Sequence, residues 1–208
     1  MSKSITISLR NDESVDQHLL DLVHLAFAER KKQGLNFTCI NYTIEDIKKK
    51  AEGAWVFLAY DENKLVGCIF FHTYPDKGNY GYIEVVSVHP DYKGMGIASM
   101  IFREVLNKAK TLGVDYVSSD TAVNAKSSVK WHLKNGFKIT RLQSSPRSNY
   151  YSYLFRNQIK TPSIWNSTLW TNFYFLFSSL KCRLMKDKYG RFTFIGKIIQ
   201  KIKRISRF

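Results

Sequence analysis

The sequence has 208 residues, which is enough for one domain of about 150 residues and an appendage. A hydrophobic fraction of 44% allows a proper core, while three widely spaced cysteines without a CxxC pair argue against a disulfide framework or a zinc site. The first residues lack the apolar core of a signal peptide, and no run of about 18 apolar residues predicts a spanning helix. We therefore expect a globular protein of the reducing cytoplasm.

The formal charge of +15 is distributed very unevenly along the chain. Residues 1–120 contain 14 Lys and Arg against 16 Asp and Glu, whereas residues 121–208 contain 18 Lys and Arg and one acidic residue, Asp187. Such an asymmetry indicates that the two parts meet different partners.

The predicted elements alternate between strands and helices. Apolar periodicity predicts strands at Ile5–Leu9, Trp55–Tyr60, Leu65–His72 and Tyr82–Val88, with helices at Asp16–Lys32 and after the capping residue Thr43. Further on, it predicts helices at Gly96–Leu112 and Asn124–Asn135, and strands at residues 115–121, 137–142 and Tyr150–Phe155. This order predicts an α/β (α+β) fold, with a mixed sheet and helices on both faces.

A glycine-containing turn, Lys93-Gly94-Met95-Gly96, joins the strand Tyr82–Val88 to the next helix. The first amides of a helix have no internal partner, and the helix dipole adds partial positive charge there. Glycines without a Cβ let this backbone approach a ligand, so the turn suits phosphate oxygens. The alternative is a tight turn in which glycine serves the backbone geometry alone.

Two spaced motifs resemble signatures of the GCN5-related N-acetyltransferase (GNAT) superfamily. Lys93-x-x-Gly96-x-Ala98 is similar to its acetyl-CoA motif, with Lys where Arg or Gln is usual, and Asn124 followed by Trp131–Phe137 is similar to a second motif. The resemblance covers about residues 4–156 and implies the GNAT fold, in which the central sheet is mostly antiparallel. It also implies an acyl-CoA-dependent N-acetyltransferase without a metal.

The resemblance implies a role for each residue of the coenzyme A site. The amides of the loop would hold the pyrophosphate, main-chain groups of the preceding strand would pair with the pantetheine arm, and Asn124 would bind the arm or a water. The residues so implied are Val86, Ser87, Val88, Lys93, Gly94, Met95, Gly96, Ile97, Ala98 and Asn124.

Amine attack on a thioester needs a base and a proton for the leaving thiolate. Glu84 is the candidate base, because it lies in an apolar strand where burial among Tyr82, Val86 and Val88 would raise its pKa. The alternative is a strand carboxylate that pairs with a lysine or faces solvent. For the acid, His132 occupies a position where the family commonly has Tyr; its alternative is a helix histidine without a catalytic role.

The acceptor is less well defined by the sequence. The segment from Arg141 to Phe155 is polar, aromatic and basic, so Arg141, Arg147 and Tyr150 are candidate acceptor-binding residues. An aminosugar, free or linked to a nucleotide, fits this chemistry, and a protein lysine or N-terminus is an alternative. A third interpretation is a non-catalytic acyl-CoA-binding module that acts through its tail.

We predict that residues 1–156 form the acyltransferase domain and that residues 157–208 form a basic, aromatic-rich extension. Ser163–Leu180 is rich in aromatic residues but interrupted by polar ones, and Lys197–Phe208 has isoleucines on one helical face and basic residues on the other. Such a tail suits the anionic inner face of a membrane, which would make the protein peripheral to it. Docking on the enzyme or a homodimer interface is the alternative, and nucleic acid is the least favoured partner.

Overall fold

The structure is a computed structural model that describes residues 4–145, 148–160 and 168–205. The chain forms two compact units: Met1–Ser119 with Gln158–Lys160, and Asp120–Asn157 with Thr161–Phe208. The order of strands and helices agrees with the order predicted from the sequence. The predicted division at residue 156 stays a prediction, because the compact units do not follow it.

The first unit contains four antiparallel strands followed by one parallel strand. Its strands lie in the order β1-β2-β3-β4-β5, in which only β4 and β5 are parallel. The elements are β1 (Ile5–Leu9), α1 (Asp16–Lys32), α2 (Ile44–Ala51), β2 (Trp55–Asp61), β3 (Lys64–Tyr74), β4 (Tyr80–Val88) and α3 (Ile97–Thr111). Strand β5 (Tyr116–Ala122) begins in the first unit and ends in the second.

The second unit contains a strand pair and three helices. Its elements are α4 (Lys126–Lys134), β6 (Lys138–Ser144), β7 (Tyr151–Gln158), α5 (Thr168–Met185) and α6 (Phe194–Ile205). β6 and β7 are antiparallel, and α5 packs against β6 and α6. The two halves of the predicted basic tail are therefore helical where they are described, although the first part of Ser163–Leu180 lies outside the described residues.

Alternation along β3 divides the core of the first unit into two layers. Cys68 and Phe70 pack in one cluster with buried residues of α1 and α2. On the other face, a Cβ added to Gly67 would lie 2.8 Å from Cγ2 of Ile97 and 2.9 Å from Cδ1 of Ile101. The first turns of α3 thus lie directly against β3, so the predicted arrangement with helices on both faces holds in this unit.

A β-bulge interrupts β4 at Val85. Phe70 pairs with Glu84 and Cys68 pairs with Ser87, so two residues of β4 lie opposite a single residue of β3. Val85 has φ +51°, which is rare for a β-branched side chain. Because of the extra residue, Glu84 and Ser87 lie on the same face of the sheet despite their odd spacing.

Cys39, Cys68 and Cys182 are free thiols. Burial raises the pKa of both the Cys39 and the Cys68 thiol to about 12, so neither is a thiolate at neutral pH. Across the described ranges, no helix is long and apolar enough to cross a membrane.

Candidate active site

The turn between β4 and α3 has the backbone geometry that only glycine adopts readily. Gly94 and Gly96 have φ +83° and +81°, and a Cβ added to either would meet no atom within 4 Å. Gly96 is the N-cap of α3, and no side chain caps this helix end. The amides of Ile97 and Ala98 lie in the first turn, where a helix supplies no acceptor, so they can donate to an anion.

Two of the residues predicted to bind coenzyme A, Met95 and Lys93, already have partners in this structure. The Met95 amide donates to the Tyr92 carbonyl at 3.3 Å, so it is engaged within the turn itself. The Lys93 ammonium lies 3.0 Å from a Glu29 carboxylate oxygen in an exposed pair. Solvent-exposed ion pairs contribute little to stability, so Lys93 can exchange Glu29 for a phosphate at small cost.

Strands β4 and β5 are described as paired at their first residues. Among the described pairs, the last one joins Tyr82 to Ser118, and Glu84–Val88 lie past it. On their other side, Ser87 and Val88 pair with β3. The predicted pantetheine-binding residues Val86, Ser87 and Val88 therefore lie past the described pairs of β4 with β5.

Glu84 is half-buried and held by two basic side chains. The Lys50 ammonium lies 3.0 and 2.9 Å from its two carboxylate oxygens, and Nε2 of His72 lies 3.0 Å from Oε1. Burial is the largest single influence and opposes the charge, but hydrogen bonds and charges of His72 and Lys50 outweigh it and lower the pKa of Glu84. The expectation of a raised pKa was therefore wrong, since it took account of burial but not of these partners.

The sequence carries a signal for each of the two partners of Glu84. His72 follows Phe70 by two residues in β3, so both side chains lie on the face that carries Glu84. Lys50 follows the buried Ile47 by three residues in α2, which places it near the inner face of that helix. The bulge also changes the predicted surroundings of Glu84, because after Val85 the alternation of β4 is reversed.

His132 lies in an aromatic cluster of the second unit. Its side chain is 2% exposed and stacks on Phe155 with ring centres 4.3 Å apart, with Trp131 and Phe137 at 4.8 and 5.1 Å. Nδ1 lies 2.8 Å from the Ser128 carbonyl oxygen, so this nitrogen carries the proton and donates. Burial lowers the pKa of His132 to about 4 despite that bond. In the neutral ring Nε2 can only accept, so the geometry favours a core role, and the acid role stays a prediction.

The remaining predicted residues are divided between the units. The first unit contains Glu84, the β4 residues and the glycine turn. The second contains Asn124 in an exposed turn before α4, Arg141 exposed on β6 and Tyr150 half-buried before β7. Arg147 lies outside the described residues. Within the described ranges, no group of three or more His, Cys, Asp or Glu side chains could hold a metal ion.

Comparison with known families decides the identity of this fold. The model of the acetyltransferase (GNAT) family matches residues 18–137, which is more than half of the chain. The chain belongs to the GNAT family. The resemblance seen in the glycine turn is thereby confirmed, as is the GNAT fold with a seven-stranded, mostly antiparallel sheet.

Individual GNAT proteins are only distantly similar to this chain. An amino-acid acetyltransferase of Mannheimia succiniciproducens is 22% identical over 148 residues, which are 68% of this chain but 29% of that protein. The chain thus spans less than a third of this curated relative.

Solved structures of GNAT proteins share the fold over three quarters of the chain. A GNAT acetyltransferase from Elizabethkingia anophelis with acetyl-CoA bound has a TM-score of 0.59 at 18% identity, covering 76% of this chain and 100% of that one. The yncA protein of Salmonella typhimurium, with its cofactor acetyl-CoA, has a TM-score of 0.61 at 13% identity, covering 77% and 96%.

Proposed function

We propose that this GNAT protein transfers an acetyl group from acetyl-CoA to a primary amine of a small molecule. The observation that carries the proposal lies within the first unit. The glycine turn leads into an uncapped α3 directly after the strand that bears Glu84. The reaction needs a site for the phosphates of coenzyme A and a side chain that can accept a proton. The start of α3 supplies the first, and Glu84 on the preceding strand supplies the second.

The coenzyme A site would be built mostly from main-chain groups. Amides of Gly96, Ile97 and Ala98 would bind the pyrophosphate, with Lys93 adding a positive charge. The edge of β4 at Val86–Val88, past its described pairs with β5, would pair with the pantetheine amides, and the role of Asn124, which lies in the second unit, stays a prediction from the sequence. The acetyl-CoA found with two GNAT proteins of the same fold supports this assignment.

The acetyl transfer moves protons from the acceptor nitrogen to coenzyme A and to the solvent. The acceptor ammonium loses a proton, the free amine attacks the thioester carbonyl, and the attacking nitrogen loses a second proton as the new C–N bond replaces the C–S bond. Coenzyme A leaves as a thiolate and takes up a proton, so one proton is released overall. Glu84, ionised because of Lys50 and His72, would bind the ammonium and accept its proton directly or through a water.

Several classes of molecule are candidates for the acceptor of the acetyl group, and a screen can distinguish them. An aminosugar, free or nucleotide-linked, remains a proposal supported by the polar and basic segment that carries Arg141 and Tyr150, but none of the similar proteins named above points to it. An amino acid is the second candidate, because a curated relative is an amino-acid acetyltransferase. A protein amine, and an acyl-CoA-binding module without activity, remain as alternatives.

The test is a thiol-release screen with acetyl-CoA and a panel of amino acids, aminosugars, nucleotide-linked aminosugars and peptides. We expect one class to release thiol at a rate well above the hydrolysis seen without an acceptor. Acetylation must also be found on the amine by mass spectrometry. Acetyl-CoA binding without transfer to any class would support the binding module, and absence of binding would reject the proposal as a whole.

A further inference from the structure

Helix α5 carries its apolar residues on the outside. Large side chains spaced by three and four residues form one stripe along it, and each of them is between 42% and 77% exposed: Leu169, Phe173, Leu176, Phe177, Leu180 and Leu184. This spacing is the one by which a helix normally faces a core. Here the stripe faces solvent, and exposed apolar patches of this extent mark interaction sites.

The opposite face of α5 attaches the helix to the rest of its unit. Thr171 is buried there, and Phe175 packs edge-on against Tyr153 with ring centres 5.7 Å apart. Sγ of Cys182 lies 4.0 Å from the Ser144 hydroxyl oxygen. These contacts fix the rotation of α5, so the apolar stripe cannot face β6 and β7 at the same time.

Helix α6 extends the exposed apolar surface. Its Phe194 is 79% exposed, and Ile195 and Ile198 are exposed as well. Gly196 lies so close to Met185 that an added Cβ would collide with the Met185 carbonyl, which holds α6 against the end of α5. We call these residues and the stripe on α5 the α5–α6 apolar surface.

The charges around this surface are almost all positive. Helix α5 has no acidic residue, and Lys181 and Arg183 flank its stripe. The one acid of residues 121–208, Asp187, is paired with Arg191 at 2.9 Å. Tyr153, which packs on α5, also borders an open groove of about 540 Å³ whose lining includes Lys126, Lys130 and Lys134.

The positive charge around the α5–α6 apolar surface indicates which kind of partner binds there. A second copy of the chain would bring the same cations face to face, whereas an anionic surface complements them. No described helix has the length and apolar character to span a bilayer, so an interfacial position is the one that fits. Trp170, half-exposed beside the stripe, suits the boundary between lipid and water.

We propose that the α5–α6 apolar surface docks on an anionic lipid bilayer, with α5 and α6 lying in the plane of the headgroups. Apolar side chains enter the acyl boundary, and the surrounding Lys and Arg side chains bind headgroup charge. Lys126, Lys130 and Lys134, which line a mostly apolar groove beside Tyr153, would add contacts to anionic headgroups. This inference does not depend on the acetyltransferase reaction, because it uses none of the residues assigned to it.

The test is vesicle flotation of the full chain. We expect binding to phosphatidylcholine vesicles with about 30% phosphatidylserine, and at least about tenfold weaker binding to phosphatidylcholine alone, with loss of binding at high salt. The double variant Leu176→Ser, Phe177→Ser removes two exposed side chains and should reduce binding by at least about tenfold. Leu25→Ser changes a leucine of α1 that is 43% exposed; it is the control and should bind as the unmodified chain does.

A second measurement reports the position of α5 directly. Tryptophan fluorescence should shift to the blue with phosphatidylserine vesicles, and Trp170→Phe should remove most of that shift. Equal binding by the double variant, or no binding to anionic vesicles by the unmodified chain, would overturn the proposal. A dimer that the double variant dissociates, with no lipid binding, would overturn it in favour of a second copy of the chain.

Discussion

Glu84 in β4 is half-buried and His132 in α4 is buried. The pKa of each lies below the ordinary value for its type, but the causes differ. In β4, Glu84 is kept charged by His72 and Lys50 against the cost of burial. In α4, His132 is kept neutral by burial among aromatic rings. The same direction of shift thus means a paired charge in one region and an absent charge in the other.

This difference separates a polar site from a core. A carboxylate with two basic partners can release one of them to bind a substrate ammonium and still stay paired with the other. A neutral imidazole whose Nδ1–H is already bonded to Ser128 has no proton to give to a thiolate. We therefore expect chemistry to depend on the first region and stability to depend on the second.

The largest expected effect is that of Glu84→Gln on turnover. The amide cannot accept a proton, so kcat should fall by about 100-fold or more, while the melting temperature changes little. Steady-state thiol release with the acceptor found in the screen measures this. Glu45→Gln, on the exposed side of α2, is the control, and turnover equal to that of the control would exclude Glu84 as the base.

A second prediction concerns stability at mildly acidic pH. The folded pKa of His132 is about 4 and the ordinary value is 6.5, so the unfolded chain binds the extra proton first. The contribution is fully present above pH 6.5 and is lost as the pH falls towards 4, up to roughly 3 kcal/mol. Chemical denaturation at several pH values should show this slope.

His132→Phe should flatten that slope, whereas His18→Gln on the exposed side of α1 should leave it intact. We also expect His132→Phe to retain most of its turnover. A loss of more than about tenfold in kcat, with stability unchanged, would instead restore the acid role and remove the contrast between the two regions.

Glycine-to-alanine variants at the two ends of α3 can distinguish an effect on ligand binding from an effect on stability in the first unit. Gly96 and Gly113 lie at the two ends of α3 with φ +81° and +69°, and both have open space for a Cβ. Each alanine variant should lose about 1 kcal/mol of unfolding free energy. Gly96→Ala alone should also weaken acetyl-CoA binding about tenfold, as measured by calorimetry. Equal affinities in the two variants would contradict a ligand at the turn.

The smallest expected effect is a displacement of the pH profile by Lys50→Gln. Removal of the ammonium raises the pKa of Glu84, because it takes away a hydrogen bond and a charge that favour the carboxylate. The acidic limb of kcat/KM should therefore move to higher pH. Lys49→Gln, at the neighbouring exposed position, should leave the acidic limb in place. If the acidic limb stays in place in both variants, ionisation of Glu84 does not control the rate.

Local patterns allowed much of this molecule to be predicted. The capping residue Thr43, the ends of α1 and the glycine turn depend on neighbours in the sequence, and the structure has them as expected. Local patterns place His72 and Lys50 on the inner faces of β3 and α2, but they do not bring either one to Glu84, since Lys50 is 34 residues distant and His72 is 12. Periodicity also identified an apolar face in the tail, but it does not state whether that face meets a core or water.

The bulge at Val85 makes the spacing between Glu84 and the glycine turn depend on one surplus residue. Deleting Val85 would return β4 to regular pairing with β3, which the hairpin itself tolerates. Glu84 and Ser87 would keep their common face, because a spacing of two residues would replace the present spacing of three. A bulge bends its strand and increases the local twist, so the shortened strand would instead change the direction from the Glu84 carboxylate to the glycine turn, and this variant would separate folding from chemistry.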